Sequence, residues 1–227
     1  MKLSLEMLLG EYGNVLGGYA GLFTFRLVNL CVKADPASLL PAVIEAKGQE
    51  FKIEEVSKVA VRAEDQLDVY PFHEELMPPI TKAVLAIHPE FKMSEEKATL
   101  DNGKDYRYVR FTMPEINKDR RDVLNNGVEA FFTEYKTQMD VAKQKYGLKM
   151  KSELRGCSRQ ELDEAQEEFN KISDSYKKMG DTLVEEKKKE ISDAYTRYCE
   201  KQTNSASVLN NNAAGQSSGY KSPFQGK

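Results

Sequence analysis

Residues 154–162 read LRGCSRQEL, and this short stretch folds one long helical pattern back on another. Upstream, Leu124, Val128, Phe131, Tyr135, Ala142 and Tyr146 recur every three to four residues, the spacing of one helix face. Gly156 stops that helix near Leu154, as a glycine just past a helix end commonly does. Ser158 and Glu161 then form a capping box, each side chain satisfying the other's orphan backbone donor. Downstream, Leu162, Ala165, Phe169, Ile172, Tyr176, Met179 and Leu183 alternate by three and four, a coiled-coil-like seam, and Ile191, Tyr195 and Tyr198 continue it. A turn this short makes the two helices an antiparallel hairpin.

Working outward, Ser4 to Lys33 carries a third stripe: Met7, Leu8, Tyr12, Val15, Leu16, Tyr19, Leu22, Phe23, Leu27 and Leu30. Its glycines at 10, 13, 17, 18 and 21 weaken a helix. They make no phosphate loop, because no GxxxxGK follows and no strand precedes. From Asp35 to Met113 the period changes to two. Leu40–Ala46 reads as a strand, Lys47–Glu50 as a turn and Phe51–Ile53 as its partner. Val59 and Val61, then Leu67 and Val69, alternate with polar neighbours. Asp101-Asn102-Gly103-Lys104 signals a type I′ hairpin whose second strand is Tyr106–Thr112. Met77-Pro78-Pro79 opens a short helix, where a missing N–H costs nothing, and Pro89 ends it. The expected class is α+β: a long three-helix bundle from residues 1–33 and 114–202, with a β/α/β domain inserted at 34–113. Two chain crossings join the parts, so Ala34, Asp35, Pro36, Met113 and Pro114 are read as a hinge. Residues 203–227, rich in Asn, Ser and Gly, are read as a disordered tail.

The chain has 227 residues, 40% hydrophobic and 30% charged, with a formal net charge of −3. Those proportions exclude collagen-like and disulfide-framework classes, and no apolar run is long enough to span a membrane. The near-balance of charge leaves no global footprint for nucleic acid, so any RNA contact must be a local patch. Cys31, Cys157 and Cys199 form no CxxC pair, and His73 and His88 are the only histidines. No metal and no cofactor are therefore expected. The N-terminus lacks the basic start and clean apolar run of a secretory signal.

Several stretches resemble one family, the ribosome recycling factors, over about residues 20–198. Lys33-Ala34-Asp35-Pro36-Ala37-Ser38-Leu39-Leu40 is similar to that family's passage from first helix into second domain. Met77-Pro78-Pro79-Ile80 with Lys82-Ala83-Val84 is similar to the opening of its small helix. Met113-Pro114-Glu115-Ile116-Asn117-Lys118-Asp119-Arg120-Arg121 resembles its return into the bundle, and Leu154–Ala165 with the SRQEL cap also matches. The resemblance implies an L-shaped protein about the size of tRNA. Its bundle docks on the large ribosomal subunit near the peptidyl-transferase region. Its small domain swings when elongation factor G and GTP act, splitting the post-termination ribosome. It also implies no catalysis on the factor, a monomer off the ribosome, no membrane partner, and a mitochondrial location, with a bacterial cytoplasm or another organelle as alternatives.

Lys136, Lys143, Lys145, Lys149, Lys151 and Arg155 lie along the second long helix, with Glu134, Asp140 and Glu153 its nearby acids. With Lys33, Arg120 and Arg121, the five lysines are the candidate contacts to rRNA phosphates. The same run also reads as a solvated face with i,i+4 charge pairs. The family's Arg-x-x-Arg-Arg row falls here on Asp140, Lys143 and Gln144, or, counted back from the capping box, on Gln138, Val141 and Ala142. Either way the arginine fork is lost. That departure keeps a second reading open: a ribosome-assembly factor or resident ribosomal protein without recycling activity. His73, Glu74 and Glu75 are read as loop surface, Cys31 as core on the first helix, and residues 185–190 as a solvated helix face.

Overall fold

A computed structural model of the chain describes residues 3–99, 103 and 105–215, with backbone alone for 3, 4 and 205–215. Three long helices carry most of it: α1 (Leu3–Val28), α4 (Lys118–Glu153) and α5 (Arg159–Gly215). Between α1 and α4 lie a ribbon of β1 (Val43–Ala46) and β2 (Gln49–Lys52), the single-turn α2 (Ile53–Val56) and α3 (Met77–Ile87). A four-stranded sheet completes the module: β3 (Ser57–Ala63), β4 (Gln66–Pro71), β5 (Lys92–Thr99) and β6 (Asp105–Thr112). Its order is β3-β4-β6-β5, antiparallel throughout.

Two hydrophobic clusters form. In the first, α1 presents Leu5, Leu8, Leu9, Tyr12, Leu16, Ala20, Phe23 and Leu27 to α4 and α5. Met7 and Leu22, expected on this stripe, face outward at 63% and 41% exposure. On α4 the stripe holds as expected: Leu124, Val128, Tyr135, Ala142 and Tyr146 are buried. On α5 the buried line runs through Ala165, Phe169, Ser173, Gly180, Val184, Ile191 and Ala194. Leu162 and Met179, expected in the seam, are exposed. The reason is steric. Tyr135 lies where a side chain at position 180 would go, with a ring carbon 2.4 Å from the site of a Cβ. Large apolar residues therefore cannot define the seam at that level. Ser173 takes another seam position because its hydroxyl bonds the buried Tyr12 hydroxyl at 2.7 Å.

The second cluster joins Leu67, Val69, Val109 and Phe111 on one sheet face to Ile80 and Val84 of α3, with Ile44, Ile53 and Val56 closing it. Strict alternation along β4 and β6 places these residues together. On the opposite face Arg110 grips buried Asp68 with two hydrogen bonds, at 2.7 and 3.0 Å.

Several boundaries differ from expectation. The first helix ends at Val28, short of Lys33, because Leu30 and Cys31 donate back to Leu27 and Val28 in a tightened last turn. Cys31 then adopts φ of 50°, and its side chain joins the second cluster, outside the first helix. Leu40 is not in a strand; a 3-10 turn from Pro36 to Leu39 precedes it, and Ile53 opens α2. The Asp101-Asn102-Gly103-Lys104 turn lies outside the described residues except for Gly103, which has φ of 75°. The expected tail from 203 is helical as far as Gly215. Neither Pro nor Gly interrupts residues 200–214, and extending an existing helix costs far less than nucleating one. Residues 216–227 lie outside the described residues.

Candidate functional site

Two regions can carry function: the charged surface of α4 and the elbow where the chain crosses between the clusters. At 100° per residue, Lys136 and Lys143 fall on the flank of α4 facing α5. There they line a cavity of about 210 Å³ with Tyr12, Asp140, Asp174 and Lys177. Lys136 also lies over the Phe132 ring, 4.3 Å from its centroid. Lys145 and Lys149 gather instead over Tyr146, at 5.7 and 4.9 Å. Lys151 is exposed in the last turn. The five lysines therefore form two small groups, and the first is interleaved with carboxylates. Of the two placements of the arginine row, Asp140, Lys143 and Gln144 are all exposed, whereas Ala142 of the other is buried.

Arg120, Arg121 and Lys33 are engaged within the protein. Arg120 is half buried and donates from Nη2 to the Cys31 carbonyl at 3.4 Å. Burial pushes its guanidinium below the ordinary value, and its Nε is buried without a partner. Arg121 bonds Asp122 at 2.8 Å and lies over Tyr195 at 4.5 Å. Lys33 is 3.8 Å from Glu190.

The expected hinge residues belong to ordered local structure. Asp35 caps the turn opened by Pro36, accepting from the Ala37 N–H at 2.9 Å, and Ala34 donates to the Glu64 carbonyl. Met113 is buried and donates to the Asp65 carbonyl at 2.8 Å. Pro114 lines a junction cavity of about 110 Å³ with Val32, Asp65, Ala194 and Tyr198. Exposed Arg197 of α5 bridges this junction to Glu64 at 3.2 Å, and Lys201 pairs at 3.8 Å with Glu115, just before α4.

The charged run 185–190 is only partly a solvated face. Lys187 and Glu190 pair at 2.8 Å and are largely covered, and Glu190 Oε1, like Arg120 Nε, is a buried side-chain atom without a hydrogen bond among the described residues. His73, Glu74 and Glu75 are exposed, as expected of loop surface, and Glu75 pairs with exposed Lys47 at 3.1 Å. Sequence reasoning missed a cluster at the elbow. Cys31 Sγ lies 3.7 Å from His88 Nδ1, which is 3.5 Å from Glu90 Oε1. Residues 57 positions apart leave no spacing signal for it. Among the described residues, no helix is long and apolar enough to cross a membrane.

Comparison with known proteins agrees with this architecture. The ribosome-recycling factor of Coprothermobacter proteolyticus is 21% identical over 161 residues, covering 70% of this chain and 82% of that protein. That of Halorhodospira halophila is 27% identical over 157 residues, covering 68% and 80%. A solution structure of the ribosome recycling factor superposes with a TM-score of 0.65 at 20% identity, over 85% of this chain and all of that one. T. thermophilus ribosome recycling factor, in a structure with E. coli elongation factor G bound to the E. coli post-termination complex, gives 0.55 at 20% identity, over 82% and 98%. These likenesses show the fold, an L-shaped α+β arrangement of long helices and a small antiparallel sheet. The sequence profile described as ribosome recycling factor matches residues 27–191, well over half the chain, from the last turn of α1 through the sheet module to α5, and on that match the protein belongs to the ribosome recycling factor family.

Proposed function

We propose that the chain binds the large ribosomal subunit and, with a translocase GTPase of the elongation factor G type, helps split ribosomes after termination. The bundle of residues 1–33 and 114–202 is the docking arm, and residues 34–113 form the arm that moves. The observation that carries this reading is the double crossing. Two clusters, each with its own buried residues, are joined by two short covalent passages and, at the surface, by the exposed Arg197–Glu64 pair. Exposed pairs contribute at most about 1 kcal/mol each, so reorienting the arms costs little against the core of either. The pivot lies just outside the capped turn and the buried Met113, at Lys33 and at Pro114. Lys136, Lys143 and Lys151 on one side of α4, and Lys145 and Lys149 on the other, supply phosphate contacts without base readout.

Asp140 and Asp174 beside Lys136 and Lys143 favour a second reading, a ribosome-bound assembly or resident protein that has lost splitting activity. Both readings place the chain with a bacterial-type ribosome, in a bacterial cytoplasm or in an organelle such as the mitochondrion. A subunit-splitting assay separates them. Purified post-termination ribosomes, translocase and GTP should yield free subunits only when the chain is added. Stable retention on an immature large subunit through salt washing, with no splitting, assigns the second role instead.

A further inference from the structure

We propose that a cleft on the sheet module docks a cationic polypeptide segment through one large apolar side chain. The cleft measures about 450 Å³ and lies between the β1–β2 ribbon, α2 and the passage from β4 into α3. Phe51, Val56, Phe72 and Leu76 wall it, and exposed Lys47, Glu55 and Glu75 stand at its rim. A concave site with apolar walls and a few charged groups at the edge is the usual form of a recognition pocket.

Both walls are in place before any partner arrives. On one side Ala46 pairs with Gln49 around Lys47-Gly48, whose φ values of 51° and 77° make the type I′ turn of a two-residue hairpin. Ile44 and Ile53 anchor the ribbon and α2 in the module core. On the other side the Phe72 N–H donates to the Val56 carbonyl at 2.9 Å, and the Leu76 N–H to the His73 carbonyl at 3.0 Å. This framework holds Phe72 at the cleft with 55% of its surface exposed. Covering that ring with an apolar group is favourable by about 25 cal/mol per Å². No loop has to be ordered first, so little of the gain is lost.

Charge decides which partner fits. Along the ribbon, α2 and the start of the β4–α3 passage, six carboxylates (Glu45, Glu50, Glu54, Glu55, Glu74 and Glu75) accompany two ammonium groups, Lys47 and Lys52, all exposed. Lys47 is already paired with Glu75 at 3.1 Å. On the back of the ribbon Glu45 lies directly opposite Glu50, an unfavourable like-charge pair that a nearby cation relieves. Phosphates are repelled from such a surface, which sets it apart from the lysines of α4. A polypeptide with Lys or Arg beside Leu, Met or an aromatic residue satisfies both features at once. Its apolar side chain fills the cleft and supplies most of the affinity, while the charges steer encounter and fix orientation.

The test presents the full chain, under reducing conditions, to a phage-displayed library of random dodecapeptides. Enriched sequences should combine Lys or Arg with a large apolar residue. A synthetic consensus peptide labelled with fluorescein should bind with an affinity that falls as salt rises. Phe72→Ser, at an exposed position, should weaken that peptide by about tenfold or more, as for a central anchor. Glu75→Lys should weaken it by about 2–5-fold. Lys47→Asn removes a cation from the rim, keeps a residue that tolerates positive φ, and should strengthen binding by about the same factor. Absence of enrichment, an acidic consensus, or equal affinity in wild type and Phe72→Ser overturns the proposal. A short single-stranded RNA that displaces the peptide overturns it in favour of nucleic acid. A concentration-dependent dimer that Phe72→Ser dissolves overturns it in favour of a second copy of the chain. None of these readouts involves the ribosome, so their outcome is separate from that of the splitting assay.

Discussion

Gly180 shows how much one missing side chain can decide. Its buried position on α5 admits the Tyr135 ring, which stacks on Phe23 at 4.9 Å and donates from its hydroxyl to the Tyr176 carbonyl at 2.8 Å. Gly180→Ala gains up to about 1 kcal/mol of helix propensity but forces that ring to move, and overpacking costs about 1–3 kcal/mol. Net destabilisation is the expected outcome, read as a lower urea midpoint. Gly21→Ala, with open space where the methyl would sit, should raise the midpoint instead. Ionisation adds a second prediction at this scale. Burial pushes Tyr135 up to about 12 and Cys31 up to about 11, from ordinary values of 10.0 and 9.0. Between those limits the unfolded chain has lost protons that the folded chain keeps, so stability falls as pH rises. It should be intact below about pH 9 and decline between about 9 and 12. The part of the tyrosinate absorbance that Tyr135→Phe removes should appear together with loss of the helical signal, and ionisation of that one tyrosine ahead of unfolding would contradict the burial argument.

At the scale of the element, α4 tests whether surface charge alone places the chain on RNA. Its core side was legible from sequence, since Leu124, Val128, Tyr135, Ala142 and Tyr146 recur at a single period and are buried. Its ends were legible too: Asn117 caps one, accepting from the Arg120 N–H, and Leu154 closes the other. The SRQEL box was equally clear, with Ser158 and Glu161 bonded reciprocally. The partners of the charged residues were not legible. Whether a lysine faces solvent, a ring or an acid on another helix depends on packing, which a one-dimensional period does not carry. Arg120 and Arg121 looked like free phosphate ligands and are spent on Cys31 and Asp122. The cluster of Cys31, His88 and Glu90 was invisible for the same reason, and the seam of α5 misled because its tightest positions are Gly180 and Ser173. Lys143 is exposed beside Lys136, with Asp140 one turn away. Lys143→Glu should weaken ribosome binding and reduce the slope of log affinity against log salt by about 1. Equal affinity across ionic strength in wild type and variant would remove this flank of α4 from the interface.

For the whole molecule, the question is what sets the angle between bundle and sheet module. The covalent crossings are short and locally ordered, so the angle is set by what spans the junction. Arg197 to Glu64 does so at the surface, and Arg120 to the carbonyl of Cys31, whose side chain joins the second cluster, does so beneath it. The exposed Arg197–Glu64 pair is screened over about 8–10 Å in ordinary buffer, so it biases the angle without fixing it. An arm that must reorient on its target needs this balance, since a fused apolar interface would hold one angle against any partner. Arg197→Glu sets like charges opposite Glu64 while leaving both cores untouched. Spin labels at exposed Arg62 and Val123, on a chain with Cys157 and Cys199 replaced by Ser, report the angle as a distance distribution. The variant should broaden that distribution, and raised salt should broaden the wild type toward the same width. Stability by urea unfolding should change by less than about 1 kcal/mol. A distribution unmoved by both the charge reversal and the salt would mean that the buried contacts around Arg120 hold the angle. Bending would then require breaking them, and the elbow would be a latch that the partner must open.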